Sequence, residues 1–180
     1  ASDCKAQLIL CGHRLDAKHG ILSGLSNSLS LMSHASVPVM TVPLGTSLNF
    51  SHKAMKVLVA DSLQDGGFKA LQAALGFAKS IDTECFLHLH VNPSSREELE
   101  AVVEKIKIGM LEGRLPSDPN FNAELYLDKV QHDLMLALKR RFHEADPEFS
   151  RDLSYTPLVR FGDPASEIHR VLDDIHADVM

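Results

Sequence analysis

The chain has 180 residues, a formal net charge of −6 and 44% hydrophobic residues, which is typical of one globular domain or of parts of two. The acidic balance and the lack of a long basic run argue against nucleic acid as the main partner. No apolar run reaches the ~20 residues of a membrane-spanning helix, and no export signal is recognisable, so we expect no membrane partner.

The first part of the chain contains two short apolar runs with a helical pattern between them. Residues 7–11 and 37–42 are rich in aliphatic and β-branched side chains, which predicts two strands. Apolar residues at helical spacing predict a helix over 23–34. Residues 43–55 have little periodicity and many turn-forming residues, and this composition indicates a linker.

A second alternation of strands and helices begins at residue 56. Its predicted strands cover residues 56–60, 85–91 and 155–161. Its predicted helices carry apolar stripes over residues 68–78, 99–110, 123–144 and 168–175. A loop at 64–67 precedes the first of these helices. Asp163 is the predicted N-cap of the last one, with Pro164 in the first helical position. Residues 177–180 resemble the start of another strand.

Strands that alternate with helices indicate parallel βαβ units. The predicted fold class is therefore α/β, with a doubly wound, mainly parallel sheet and helices on both faces. The sheet is five-stranded if the strands of both parts of the chain join in it. Ligands bind to such sheets beyond the carboxyl ends of strands, near a switch in strand order. The loops that follow Cys11, Ala60, Val91 and Phe161 are therefore the places where a binding site is expected.

Three segments of the chain resemble parts of a bacterial universal stress protein. The opening strand, helix and strand of that family resemble KVLVADSLQDGGFKALQAALGFAKSIDTECFLHLHV, residues 56–91. The exit of its third strand, the next helix and the start of its fourth strand resemble RFGDPASEIHRVLDDIHADVM, residues 160–180. Its fourth strand, last helix and fifth strand resemble residues 6–43, from AQLILCGHR to ASVPVMTVP. Residues 94–152 match the family only in general character.

The order of these pieces is unusual, because the closing third of such a module precedes its opening two-thirds. Residues 1–43 form the closing strand, helix and strand, 44–55 the linker, and 56–180 the opening part. One interpretation is a fragment of a tandem protein that spans the end of one module and most of the next. The other, which we favour, is a single sheet in which residues 1–43 complete 56–180.

The resemblance implies a glycine-rich nucleotide loop after the fourth strand, with the pattern Gly, two residues, Gly, nine residues, Gly, then Ser or Thr. Here Gly12 and Ser26 fill the first and last positions, whereas Leu15 and Leu25 replace the other two glycines. Gly24 is one residue away from the third position. Because leucine side chains would crowd a triphosphate, a loop that only connects strand to helix is the better interpretation.

Asp61 ends a strand at the expected switch point, and the resemblance implies that the matching acidic residue lies near a bound nucleoside. The alternative is a helix-capping or turn residue. His13 and Arg14 belong to a basic loop that would suit a phosphate, although a solvated loop is the commoner case. The candidate nucleotide-binding residues are Gly12, His13, Arg14, Gly24, Ser26, Asn27, Ala60, Asp61 and Val91.

His88 and His90 alternate on a predicted strand, so their side chains share one face of the sheet. Two such histidines can bind a metal, but no third ligand stands at a supporting spacing, and packing is the favoured interpretation. No metal site is predicted. Ser, His and Asp residues are present without any spacing that supports a catalytic arrangement, so no catalytic residue and no enzymatic activity are predicted.

The leading hypothesis is a universal stress protein-like stress-response protein that acts by binding and oligomerisation, with nucleotide binding weak or lost. One alternative is a sensor that binds ATP or AMP, and a less favoured one is an adenine-nucleotide hydrolase. The three cysteines are an odd number without CxxC spacing, which predicts reduced thiols and a cytoplasmic location. Because the resemblance implies dimerisation through the last strand, a homodimer is expected. Its predicted interface residues are Val37, Val39, Met40, Thr41 and Val42.

Overall fold

A computed structural model describes residues 9–13, 34–37, 39–43, 54–148 and 153–180. The chain divides into two compact units, Ala1–Ser51 and His52–Met180. The helix predicted over residues 23–34 falls almost entirely outside the described residues, as does most of the predicted linker. The tandem-fragment and completed-sheet interpretations concern how the two units relate to each other, and both stay predictions.

The described part of the first unit contains a pair of parallel strands, β1 (Ile9–His13) and β2 (Val39–Pro43). Their register places Ile9 beside Val39 and His13 beside Pro43. The first strand extends beyond its predicted end at residue 11. The second begins two residues later than predicted, and Val37 lies in a bend before it.

The second unit is built on a three-stranded parallel sheet in the order β3 (Met55–Ala60), β4 (Thr83–Asn92), β5 (Ser154–Phe161). The end of the chain returns to the other edge of β3, where Val179 forms a parallel bridge with Val57. The chain therefore runs outward from β3 to β5 and then crosses back to the opposite side of β3. This reversal is the switch in strand order that defines a doubly wound sheet.

Four helices are described in this unit: α1 (Asp65–Ser80), α2 (Arg96–Leu111), α3 (Ala123–Ala145) and α4 (Pro164–Ile175). The helices α1 and α3 pack on one face of the sheet, and α4 packs on the other, while α2 contacts α3. The α/β doubly wound class with helices on both faces is thus confirmed. The five described strands form one sheet of two strands and one of three.

Strand alternation divides the core between the two faces of the three-stranded sheet. The α1/α3 face buries Val57, Val59, Leu71, Leu75, Ala78, Phe86 and Phe142. The α4 face buries Leu58, Leu87, Leu89 and Val171. Each strand contributes to both clusters, as expected for a sheet that is covered on both sides.

Side chains at three helix starts supply the hydrogen bonds that the first backbone amides lack. Ser95 and Glu98 form a reciprocal capping box on α2, and Asn122 caps α3. Asp163 accepts a hydrogen bond from the Ser166 amide and is followed by Pro164, which confirms the predicted cap of α4.

The start of α1 differs from the prediction, because Gly66 and Gly67 lie in its first turn and not in a loop. A Cβ atom at Gly67 would stand 2.0 Å from Oδ1 of Asp61, whereas one at Gly66 would meet nothing within 4 Å. Gly67 therefore allows the first turn of α1 to lie directly against the Asp61 carboxylate. Two adjacent glycines suggested a loop, but here one of them serves close packing.

Candidate functional site

The candidate site lies at the carboxyl end of β3, next to the switch in strand order. Asp61 follows the last residue of β3, and its amide donates to the carbonyl of Leu89 at 2.8 Å, which ties it to β4. Its side chain is 0% exposed. Leu63, two residues later, has a φ of 59°, a left-handed conformation that is uncommon for a leucine. The turn is stabilised by a 2.8 Å hydrogen bond from the Leu63 amide to Asp61 Oδ1.

The carboxylate of Asp61 accepts four hydrogen bonds from within the protein. Besides the Leu63 amide, its donors are Nε2 of His88 at 3.1 Å and Nε and Nη2 of Arg141 at 2.8 and 3.4 Å. An ionised carboxylate has about four lone-pair sites, so this one is saturated. Burial alone would raise the pKa of Asp61, but the hydrogen bonds from Arg141, Leu63 and His88 outweigh it and lower that pKa below its ordinary value.

His88 lies in the middle of a buried hydrogen-bonded chain. An ionised carboxylate only accepts, so Nε2 of His88 carries the proton that faces Asp61, and Nδ1 accepts from the Tyr155 hydroxyl at 3.2 Å. Burial lowers the pKa of His88 despite the neighbouring Asp61 carboxylate. Burial, followed by the Asp61 charge, raises the pKa of Tyr155. Both side chains are therefore neutral near pH 7.

This chain of side chains is buried and connects three strands of the sheet. The side chains of Asp61 and His88 are both 0% exposed. The hydrogen bonds from Tyr155 to His88 and from His88 to Asp61 therefore connect β5, β4 and the end of β3.

Arg141 connects the helix α3 to the carboxyl end of β3. In addition to Asp61, its guanidinium donates through Nη2 to the carbonyl of Gln64, and its Cζ lies 5.1 Å from the centre of the Phe68 ring. The next residue, Phe142, stacks on Tyr155 with 3.8 Å between ring centroids. Polar and aromatic contacts from successive residues thus fasten the last turns of α3 to the sheet.

His90 lies on the same face as His88, as predicted, and its Nδ1–H donates to the carbonyl of Asp61 at 2.8 Å. The two histidines therefore contact the side chain and the backbone of the same residue. Among the residues that the structure describes, no group of three or more His, Cys, Asp or Glu side chains could hold a metal ion.

The other predicted nucleotide-binding residues of the second unit lie on the opposite face from the Asp61 carboxylate. Val91 packs against the aliphatic cluster beneath α4, and alternation along β3 places Ala60 on that face as well. The structure therefore brings Asp61 together with the two histidines, whereas the side chains of Ala60 and Val91 face α4.

The remaining predicted binding residues fall in the first unit. Gly12 and His13 are the last two residues of β1. Four others lie outside the described residues, and these are Arg14, Gly24, Ser26 and Asn27. The altered glycine-rich loop therefore stays a prediction.

The position of Arg141 in the sequence is itself a signal of a buried partner. The apolar stripe of α3 passes through Leu134 and Leu138, and a step of three more residues reaches Arg141. An arginine on the buried stripe of a helix needs a buried acceptor. The pairing with Asp61 joins residues 80 positions apart, so no local pattern could identify that acceptor. Tyr155 offered no comparable signal.

No helix within the described ranges combines the length and apolar character of a membrane span. No protein-family model matches the chain, and no curated protein matches it. Among solved structures, the chain is similar to a protein of the universal stress protein family from Burkholderia pseudomallei, with 14% sequence identity and a TM-score of 0.43. That similarity covers 72% of this chain and 81% of the other.

Proposed function

We propose that this protein is a universal stress protein-like stress-response protein that acts by binding other proteins and by oligomerisation, with nucleotide binding weak or lost. The observation that carries the proposal is the saturation of Asp61, because its carboxylate already accepts four hydrogen bonds and its side chain is 0% exposed. A nucleoside that approached the switch point would find no free acceptor on this residue.

A competing ligand would have to displace Arg141 before it could contact Asp61. It would then leave the guanidinium without its carboxylate partner, and an unpaired, largely buried charge costs several kcal/mol. The sequence adds a second obstacle, because Leu15 and Leu25 stand where the resemblance implies glycines. Both features favour a protein that works without a tightly bound nucleotide.

Isothermal titration of ATP with magnesium, and of AMP in parallel, tests this proposal on the full chain. We expect no binding heat and no thermal shift at millimolar ligand. Micromolar binding that Ser26→Ala or Asp61→Asn weakens would instead favour the nucleotide-sensor hypothesis. Release of phosphate from added ATP would favour the hydrolase hypothesis.

The oligomeric part of the proposal concerns β2, which carries most of the predicted interface residues. Within the described part of the first unit, β2 pairs with β1 in a two-stranded sheet. An edge strand presents unpaired backbone groups to a second chain, and a lysine on such an edge opposes pairing. We therefore expect a dimer by sedimentation equilibrium that Met40→Lys weakens at least ~10-fold. Ser36→Lys, at an exposed position before β2, is the control, and a wild-type monomer at 100 μM would refute the dimer.

A further inference from the structure

The groups that surround the head of Arg141 make up a receptor for a guanidinium ion. The Asp61 carboxylate, the Gln64 carbonyl and the Phe68 ring together are called the guanidinium cradle below. We propose that this cradle is a guanidinium-binding site, that Arg141 closes it as an internal ligand, and that an external arginine side chain enters it when Arg141 is absent or drawn away.

The cradle matches the chemistry of its occupant group by group. The two carboxylate oxygens of Asp61 accept from Nε and Nη2 of Arg141 at 2.8 and 3.4 Å, and the Gln64 carbonyl accepts from Nη2 as well. The ring of Phe68 lies 5.1 Å from Cζ. A carboxylate fork, a carbonyl and an aromatic face suit a planar guanidinium, whereas an ammonium group cannot use the fork in the same way.

The cradle is built independently of its occupant. The Asp61 side chain is held by the Leu63 amide and by His88, and its backbone is held by Leu89 and by the ring of His90. The three cradle groups all belong to the short segment from the end of β3 into the first turn of α1. The acceptors therefore keep their positions when the guanidinium leaves. Because the site is preorganised, a ligand that binds there does not have to order it first, which lowers the cost of binding.

The occupant comes from a separate helix and remains within reach of solvent. Arg141 lies on α3, and its side chain is 18% exposed, whereas that of Asp61 is 0% exposed. The carboxylate of the guanidinium cradle is thus buried, whereas Arg141, which occupies the cradle, is partly exposed. Because Arg141 is tethered beside the cradle, its effective concentration is millimolar or higher, so the intact protein is closed to weak external ligands.

The ligand class is an arginine side chain or another guanidinium compound. This inference goes beyond the proposed function, because it assigns a site and a ligand that involve no nucleotide. Its test also uses no nucleotide, so the failure of one proposal would leave the other unaffected.

The experiment removes the internal ligand and supplies an external one. Arg141→Ala is titrated with methylguanidinium chloride, and its melting temperature is compared with that in methylammonium chloride at the same ionic strength. For a ligand of this size we expect a dissociation constant on the order of 1–10 mM. At ~10-fold excess over that constant the melting temperature should rise by about 2–5 °C.

Two matched variants and the wild type define the specificity of the rise. Arg140→Ala removes an exposed arginine from the neighbouring position of the same helix, and neither it nor the wild type should respond. The double variant Asp61→Asn/Arg141→Ala keeps the opening but removes the carboxylate, and it should lose the response. A response in all four proteins, or equal responses to methylguanidinium and methylammonium, would overturn the proposal.

Arg141→Gln is tested in parallel, because the glutamine amide can still donate a hydrogen bond to the buried carboxylate of Asp61. Rescue of either variant from an unfolded to a folded state by methylguanidinium, followed by circular dichroism, supports the proposal. If either variant is folded and does not respond, or if both stay unfolded at about 100 mM methylguanidinium, an external guanidinium does not replace Arg141 and the proposal fails.

Discussion

Both faces of the β3–β4–β5 sheet bury an apolar cluster, and the α1/α3 face adds a chain of buried polar side chains. Beneath α4, the buried cluster is aliphatic and centres on Leu58, Leu89 and Val171, which are 0–1% exposed. On the α1/α3 face, the carboxyl edge buries Asp61 and His88, whose hydrogen bonds run from one strand to the next. The packing beneath α4 is therefore non-directional, whereas the α1/α3 face combines an apolar cluster with directional hydrogen bonds at its carboxyl edge.

The difference lies in what each face tolerates. In an aliphatic cluster, a substitution lowers the free energy of unfolding in proportion to the side-chain volume that it removes. A substitution that keeps the volume costs little. A buried polar chain is stable only while every member has its partner, because a group left alone retains its full desolvation penalty. The polar chain at the carboxyl edge of the α1/α3 face should therefore respond to chemical identity, and the aliphatic cluster beneath α4 to volume.

The largest effect is expected from Asp61→Ala on the α1/α3 face. This change leaves Arg141 and His88 without their shared acceptor, and loss of one partner of a buried pair typically costs about 3–5 kcal/mol. Urea unfolding measures the free energy, with Asp173→Ala at an exposed position of α4 as the control within ~0.5 kcal/mol. A loss below about 1.5 kcal/mol would show that the polar chain does not depend on its shared acceptor.

On the α4 face, Leu89→Ala should cost about 2–5 kcal/mol, because the side chain is fully buried. Leu89→Met, which keeps the volume, should cost less than about 1.5 kcal/mol. Leu111→Ala, at an 87% exposed position, is the control in the same unfolding assay. Asp61→Asn also keeps its volume but should cost more than Leu89→Met, and the reverse order would contradict the proposed contrast.

The contact between α1 and Asp61 gives a smaller and sharply local prediction. Gly67→Ala would place a Cβ atom 2.0 Å from Oδ1 of Asp61, and relief of such overpacking typically costs about 1–3 kcal/mol. Gly66→Ala has open space and should be neutral or stabilising by up to about 1 kcal/mol. Thermal unfolding compares the two adjacent substitutions. Equal effects would mean that α1 does not depend on this close approach.

The smallest effect is a pH dependence that arises from His88 on the α1/α3 face. Burial lowers the pKa of His88 from 6.5, so below about pH 6.5 the unfolded chain binds a proton that the folded protein does not. The free energy of unfolding should therefore fall as the pH falls through this range, by at most about 1.4 kcal/mol per pH unit. Asp61, whose pKa is also lowered, adds a further loss at more acidic pH.

Urea unfolding from pH 8 to pH 4 measures this slope. Several titratable or charged groups contact His88 or its hydrogen-bond partner, and these are Asp61, Arg141, Tyr155 and His90. The variant therefore changes His88 alone, so that the contribution of this one residue can be separated from theirs. His88→Gln should flatten the profile below pH 6.5, whereas His143→Gln, at an exposed position, should not. Identical slopes for the wild type and His88→Gln would remove His88 as the cause.

The sequence by itself determined the elements of the second unit and their arrangement on two faces. Alternating strands and amphipathic helices predicted the doubly wound class, and Asp163 followed by Pro164 predicted the start of α4. These predictions succeeded because periodicity and capping depend on residues close together in the chain. The position of Asp61 at the end of β3 was predicted for the same reason.

The tertiary structure alone decided what Asp61 does. Its partners His88 and Arg141 lie 27 and 80 positions later in the chain, and no local pattern links residues at that distance. Gly67 was predicted in a loop because a glycine pair usually marks one, whereas the close approach of α1 to a carboxylate places it in a helix. The fold class follows from local periodicity, but the state of a buried charge depends on which distant side chains the packing brings to it.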